Sequence, residues 1–266
     1  MRIWMVRRKH CDVLVWSFLF GLVLLGASGR PPEEVPVVSY VTAGNIVVID
    51  AGHGGPDAGA CSADGVLEKD ISLALSQKLA GELIRQGCIV ICVRDSDTDL
   101  AGDDFTGSLR ERKRVDLQAR ADLANRNQAD LYVSVHLNSD PSPRWAGAQT
   151  FYEQGSLEGE LIGKSIQEQL RNTLKNTRRE ALAADGYFLM SATSMPAVIV
   201  EAGFLSNPKE ALLLQDEEYQ NRVAGAVARG IVDGLKKKAD GQVLLLPDGE
   251  KDGLRLTNES AAGIGS

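Results

Sequence analysis

The sequence is poor in histidine and lacks an excess of positive charge. Its 266 residues include three histidines, and 29 Lys and Arg residues stand against 36 Asp and Glu residues, a formal charge of −7. General nucleic-acid binding needs a basic footprint, so we expect no nucleic-acid partner. Hydrophobic residues make up 44% of the chain and charged residues 24%, as in globular proteins. Any histidine chemistry is limited to His10, His53 and His136.

Cysteine is also scarce. Cys11 lies in the basic N-terminal segment, which leaves Cys61, Cys88 and Cys92 in the rest of the chain. Three cysteines do not form a closed disulfide framework. We interpret Cys88 and Cys92, which fall in a predicted strand, as small buried hydrophobic residues.

Several common enzyme motifs are missing. The glycine-rich segment 52–59 does not fit G-x-G-x-x-G, because Asp57 takes the place of the third glycine, and no G-K-[ST] directly follows this segment. The chain has no G-x-S-x-G sequence for a nucleophilic serine. A nucleophilic pair of Cys61 and His136 would leave His53 and the glutamates described below without a role, so it is disfavoured.

No apolar run reaches the roughly 20 residues of a typical spanning helix. Val13–Ala27 is apolar over about 15 residues and follows a basic segment, as in a signal peptide. Residues 1–30 carry five basic residues and one acidic residue, whereas the remainder carries 24 and 35. We therefore predict a signal peptide or N-terminal membrane anchor over residues 1–30, with possible membrane association through residues 13–27. The protein would then act outside the cytoplasm.

The central part of the chain alternates short apolar runs with amphipathic segments, and this pattern predicts an α/β fold with helices on both faces of one sheet. A linker over 31–44 and a flexible C-terminal tail over 239–266 flank a single catalytic domain over 45–238. The predicted strands are 45–50, 88–93, 129–137, 148–153, 187–190 and 197–201. The predicted helices are 68–86, 109–127, 157–174 and 219–238.

Three of the predicted strands run into residues that bind metals. His53 follows the first strand, His136 lies near the end of the third, and Glu201 ends the last. Ligands in open α/β sheets bind beyond the carboxyl ends of the strands. Glu68 begins the first helix, and the preceding glycine-rich loop can fold it back beside His53.

These four residues cover the needs of a zinc hydrolase. Catalytic zinc takes three protein ligands of the histidine and glutamate type and leaves a position for water. A further carboxylate is needed to move protons. The long spacing differs from short helical signatures such as H-E-x-x-H. Asp50 and Asp57 are candidates for orienting a metal-bound imidazole, or simply turn residues.

Four blocks of sequence resemble the zinc-dependent N-acetylmuramoyl-L-alanine amidases of the Amidase_3 type, in the order and spacing of that family. The resemblance covers roughly residues 45–236. The segment WAGAQTFY (145–152), the export signal and the lack of a wall-binding repeat further resemble the germination-specific, spore-cortex branch. The four blocks are GHGGPDAGA (52–60), EKDI (68–71), ADLYVSVHLNS (129–139) and VEAGFLSN (200–207).

The resemblance implies a Zn²⁺ ion held by His53, Glu68 and His136. It implies that Glu201 acts as the catalytic base and acid, and that Asn138 shapes the site. The implied fold is a mixed, mostly parallel sheet of about six strands. The implied reaction is hydrolysis of the amide between N-acetylmuramic acid and L-alanine in peptidoglycan, during cortex maturation or germination. The implied location is the cell wall or the spore intermembrane space.

Other functions stay open at this point. The chain could be a cell-separation or general autolytic amidase, a zinc carboxypeptidase on stem peptides, or a non-catalytic wall-binding domain. Carboxypeptidases use the same metal chemistry, so the residues alone do not separate the two cleavages. Trp145 could stack on glycan or anchor a loop. The sequence does not reveal the oligomeric state.

Overall fold

The computed structural model describes residues 42–241, and these form one six-stranded sheet with helices packed against it. The strand order is β2-β1-β3-β6-β4-β5, and only β4 and β6 pair in antiparallel fashion among the described strands. The strands are β1 (Ile46–Ala51), β2 (Ile89–Cys92), β3 (Leu131–Asn138), β4 (Gln149–Glu153), β5 (Leu182–Ala184) and β6 (Ala197–Phe204). The helices are α1 (Glu68–Arg85), α2 (Leu109–Arg126), α3 (Leu157–Leu174), α4 (Phe188–Ala192), α5 (Pro208–Gln215) and α6 (Glu217–Ala239). The predicted mixed, mostly parallel α/β fold is confirmed.

Two hydrophobic clusters lie on opposite faces of the sheet. In the larger cluster, alternate residues of β1, β3 and β6 pack against α1, α3 and α6. In the smaller cluster, the residues that alternate with them, such as Val48 and Tyr132, pack against α2 and α4. Because both faces are covered, the central strands are almost continuously buried, as expected for parallel strands.

Helix α2 is strongly charged, and its N-terminus is capped by side-chain hydrogen bonds. The Ser108 side chain accepts a hydrogen bond from the backbone of Glu111, and the Glu111 carboxylate accepts one from the Ser108 backbone, which makes a capping box. Its buried side includes the charged residues Asp116 and Arg120 beside two alanines. Part of the contact between this helix and the sheet therefore consists of charged side chains rather than hydrophobic ones.

The prediction of a strand over 187–190 was wrong. Tyr187 precedes the short helix α4, whose Leu189 and Met190 are both buried, whereas Tyr187 and Phe188 are exposed. Two adjacent buried residues fit one side of a helical turn rather than the alternation of a strand. The sixth strand is instead β5, an edge strand of three residues that pairs only with β4.

Two further differences concern local features. Helix α5 was not predicted, although Asn207 caps it and Pro208 occupies its first turn. Cys88 is buried, as expected. Cys92 is exposed, because β2 is an edge strand and has a neighbouring strand on one side only.

The predicted leader over 1–30 lies outside the described residues, as do most of the linker and all but the first residues of the C-terminal tail. Within 42–241, no helix is both long and apolar enough to span a bilayer.

Candidate metal centre

Parallel pairing brings the predicted site residues to one edge of the sheet. β1, β3 and β6 are neighbours, and the carboxyl ends of these strands lie together. His136 and Glu201 are directly paired positions on β3 and β6. A bulge follows His136, where the register shifts before Asn138. His53 enters from the loop after β1, and Glu68 comes from the first turn of α1.

His53, Glu68 and His136 form a compact group that could hold a metal ion. One potential ligand atom from each residue lies within 4.8 Å of the others. Glu68 Oε2 lies 3.2 Å from Nε2 of His53, and Glu68 Oε1 lies 3.0 Å from Nδ1 of His136. The two imidazole rings meet edge to face, with centroids 4.9 Å apart. Two imidazoles and a carboxylate are donors that zinc accepts readily.

The backbone makes room for this close approach. Gly59 has a φ of +68°, and a Cβ at this position would lie 2.6 Å from Glu68 Oε2 and 2.7 Å from the His53 ring. The carboxylate of Glu68 is held further by the backbone N–H groups of Ala60 and Leu137, which donate to it. The glycine-rich loop therefore folds Glu68 back beside His53, as predicted.

The charged side chains of this group shift one another's pKa values. Burial alone would lower the pKa of His53, but Asp57 and Glu68 raise it to about 9. Burial alone would raise the pKa of Glu68, but the two histidines hold it well below its usual range. Asp57 Oδ2 lies 2.9 Å from Nδ1 of His53 and 2.8 Å from Lys113 Nζ. Asp57 therefore contacts the imidazole directly, and its backbone also closes a turn with Gly54.

Glu201 stands apart from the other carboxylates of the site because it is not engaged. Its side chain is half-buried, and its buried Oε2 atom has no hydrogen-bond partner among the described residues. Burial raises its pKa to about 7; Glu68 acts in the same direction, and the histidines oppose it. A carboxyl group that titrates near neutrality is suited to accept and then donate a proton.

A buried ion network lies beneath the His53 loop. The Arg120 guanidinium contacts Asp50 Oδ1 at 2.5 Å and Asp116 at 2.9 Å. The same group donates to the backbone carbonyls of Ala51 and His53, the latter at 2.7 Å. Arg120 therefore fixes the backbone on both sides of Gly52. Asp50 itself orients Arg120 and Ser134 rather than an imidazole.

A pocket opens over the metal group. Its walls include His53, His136, Glu201 and the exposed aromatic residues Tyr187 and Phe188. Trp145 does not line this pocket. Its ring instead lies beneath the guanidinium of Arg179, 5.6 Å away, and it is 46% exposed.

The sequence did not predict the two buried arginines that hold the backbone of the His53 loop. Arg94 and Arg120 are both buried. The guanidinium of Arg94 donates to the backbone carbonyls of Ala51 and Gly52. The only available signal was the i, i+4 spacing of Asp116 and Arg120 in a helix with a thin apolar stripe. The aromatic pair at 187–188 was assigned to a strand, so its position at the pocket was not foreseen.

Comparisons with known proteins agree with this geometry. Residues 47–233 match the sequence profile of the Amidase_3 family, N-acetylmuramoyl-L-alanine amidase. The germination-specific N-acetylmuramoyl-L-alanine amidase of Bacillus subtilis is 40% identical over 237 residues, which cover 85% of this chain and 97% of that protein.

Solved structures give the same result. The CwlD amidase of Clostridioides difficile, determined in complex with the GerS lipoprotein, is 36% identical with a TM-score of 0.70, over 72% of this chain and 98% of that one. The amidase AmiC2 of Nostoc punctiforme is 31% identical with a TM-score of 0.62, over 73% and 99% of the two chains. The chain belongs to the Amidase_3 family of N-acetylmuramoyl-L-alanine amidases.

Proposed function

We propose that this protein hydrolyses the amide between N-acetylmuramic acid and L-alanine in peptidoglycan, using zinc, outside the cytoplasm and during spore cortex maturation or germination. The observation that carries the proposal is the group of His53, Glu68 and His136, which lies beside the carboxylate of a fourth residue. The buried Oε2 atom of that residue, Glu201, has no hydrogen-bond partner within residues 42–241. Similarity to the germination-specific amidase of B. subtilis supports the spore role.

His53, Glu68 and His136 are the proposed metal ligands. Their donor set fits zinc, and Asp57 and the backbone donors to Glu68 fix the orientation of two of them. A zinc ion supplies Lewis acidity, which polarises a carbonyl and makes water easier to deprotonate. The exposed aromatic residues at the mouth of the pocket would position the substrate over this group.

Glu201 is the proposed proton carrier. Its free Oε2 accepts the proton of the attacking water and then passes it to the alanine nitrogen as the carbon–nitrogen bond breaks. The raised pKa favours both halves of this transfer, because a group near pKa 7 gains and loses a proton easily at neutral pH. The products are the free lactyl carboxylate of the sugar and the free amine of the peptide.

The central test replaces Glu201 by Gln, which keeps the shape of the side chain and removes its basicity. We expect turnover of a muropeptide to fall by about 10²–10⁴-fold, with the zinc content measured by mass spectrometry unchanged. Glu218→Gln, an exposed substitution on α6, is the matched control and should keep full activity. A Glu201→Gln protein that cleaves at the parent rate would remove Glu201 from the mechanism.

Product analysis identifies the bond that is cleaved. Purified protein is incubated with cortex peptidoglycan and with vegetative wall, and the products are weighed by mass spectrometry. Free stem peptides that begin with L-alanine, together with intact glycan strands, are expected, with faster release from cortex. Loss of terminal D-alanine alone would identify a carboxypeptidase, and no release would favour a binding domain or the need for a partner protein.

A further inference from the structure

A basic groove continues from the active-site pocket along the start of helix α2. Its α2 wall consists of Arg110, Lys113, Arg114 and Leu117, with Glu111 at its edge, and Phe188 of α4 forms the opposite side. The spacing i, i+3, i+4 and i+7 places these four α2 residues on one face of the helix.

Neighbouring carboxylates neutralise only part of the positive charge of this groove. Glu111 is engaged with the backbone and hydroxyl groups of Ser108, and Lys113 pairs with Asp57. Arg110 and Arg114 are exposed, and neither forms an ion pair with any residue between 42 and 241. Two exposed guanidinium groups, four residues apart on one helix face and without an ion-pair partner, are available to bind an anionic ligand.

The groove and the active-site pocket are continuous. Lys113, Leu117 and Phe188 line both of them. A substrate whose amide lies beside Glu201 can therefore extend one of its two sides along α2. The sugar side of that amide is uncharged where the ring is N-acetylated, whereas the peptide side carries carboxylates. Charge complementarity selects the peptide side for the groove.

We propose that Arg110 and Arg114 bind a carboxylate of the stem peptide, on the residue that follows L-alanine, and so select anionic stem peptides. This inference rests on the proposed function and adds the part of the substrate that is recognised. Arginine forms paired hydrogen bonds with carboxylates, and Phe188 and Leu117 offer apolar surface to the peptide between its charged groups. Both arginines contact the substrate away from the reacting atoms, so they determine specificity.

The test compares two synthetic substrates that differ in one group. Both are N-acetylmuramoyl-L-alanyl peptides; the next residue is D-glutamate with a free α-carboxylate in one, and its α-amide, D-isoglutamine, in the other. The double variant Arg110→Gln, Arg114→Gln should raise KM for the carboxylate substrate about tenfold, equivalent to about 1.4 kcal/mol. The kcat value, and KM for the amide substrate, should change less than about twofold.

The matched control is Arg126→Gln. Arg126 is exposed and lies at the far end of the same helix, about 24 Å from Arg110 along the axis. This variant removes the same type of charge and should leave both KM values unchanged. An equal rise for the two substrates, a comparable effect of Arg126→Gln, or no effect of the double variant would each overturn the proposal.

Binding without turnover separates this proposal from the proposed hydrolysis. The free peptides L-alanyl-D-glutamate and L-alanyl-D-isoglutamine are titrated into the zinc-loaded protein and followed by NMR. Tighter binding of the glutamate peptide, lost in the double variant and kept in Arg126→Gln, is expected whether or not the amide is cleaved. Equal binding of both peptides would reject the groove as a carboxylate-binding site, even if the amidase activity is demonstrated.

Discussion

At the scale of single residues, the metal group depends on unusual backbone conformations. His53 has a φ of +63°, a left-handed conformation that costs a non-glycine residue of order 1–3 kcal/mol. Arg120 holds its carbonyl at 2.7 Å, and Asp57 and Glu68 lie against its ring nitrogens. The surrounding contacts thus maintain a strained backbone that directs the imidazole into the site.

A methyl group at Gly59 should disturb the metal group. Gly59→Ala places a Cβ against Glu68 and the His53 ring, so one of these proposed ligands must move. We expect the zinc content after dialysis to fall substantially, as measured by mass spectrometry, because ligand distances must hold within about 0.2 Å.

Gly65→Ala is the control for backbone strain in the same loop. Gly65 has a φ of +85°, but a Cβ there meets no atom within 4 Å. Both substitutions carry the cost of a left-handed alanine, and only Gly59→Ala carries the clash. Equal zinc contents in the two variants would show that Gly59 is not needed for space at the site.

The grouping of the site residues could be predicted from the sequence, because most of them lie at the ends of apolar runs that parallel pairing brings to one edge. Glu68 is the exception, since it begins the helix that follows the glycine-rich loop. His136 and Glu201 are paired positions that close neighbouring strands. The cations could not be predicted in the same way. Arg120 lies 67 positions from His53, and only the packing of α2 on the sheet brings its guanidinium to that carbonyl.

At the scale of elements, long periodic segments were predicted well and short ones were not. Helix α3 matches its predicted range of 157–174, because its apolar stripe and Ser156 cap are both readable. Strand β5 has two alanines and an exposed Leu182, so neither hydrophobic alternation nor β-branched residues mark it. Its pairing with β4 is a tertiary contact that local sequence does not encode.

Helices α3 and α6 pack closely through small residues. We therefore predict that two glycine-to-alanine substitutions in α6 change the free energy of unfolding in opposite directions. A Cβ at Gly230 would lie 2.3 Å from the Cα atom of Ile166, which cannot move without displacing α3. We expect Gly230→Ala to lower the free energy of unfolding by about 1–3 kcal/mol in urea titrations.

Gly225 tests whether the effect comes from packing. It lies in the same helix, and a Cβ there meets only the flexible end of Arg229, at 3.3 Å. Alanine is the better helix former, so Gly225→Ala should raise the free energy of unfolding by up to about 1 kcal/mol. Destabilisation by both substitutions would mean that the loss at Gly230 does not come from its close contact with α3.

At the scale of the whole molecule, a cluster of buried charges joins helix α2 to the sheet. Arg120 is fully buried, and an unpaired charge in such a position would be very costly. Asp50 on β1 and Asp116 on α2 neutralise it from two elements. Removing one partner from such a cluster typically costs about 3–5 kcal/mol.

This cluster predicts a specific dependence of stability on pH. Burial alone would raise the pKa of Asp50, but Arg120 and Ser134 more than offset it, so the pKa lies below its usual value in the folded protein. The folded state therefore binds fewer protons than the unfolded state in this range. The stabilisation by Asp50 is present above a pH of about 4 and is lost as the pH falls towards the folded pKa.

The test is the difference between two pH profiles of the unfolding free energy, for the parent and for Asp50→Asn. The variant should be less stable by about 3–5 kcal/mol at pH 7, and the difference should shrink as the pH is lowered from about 5 to about 3. Other carboxylates titrate in both proteins and cancel in the difference. Asp104→Asn, at an exposed position, should follow the parent throughout. If the Asp50→Asn difference stays constant over this range, the ion pair with Arg120 does not control acid stability, because a purely steric effect of the substitution would not depend on pH.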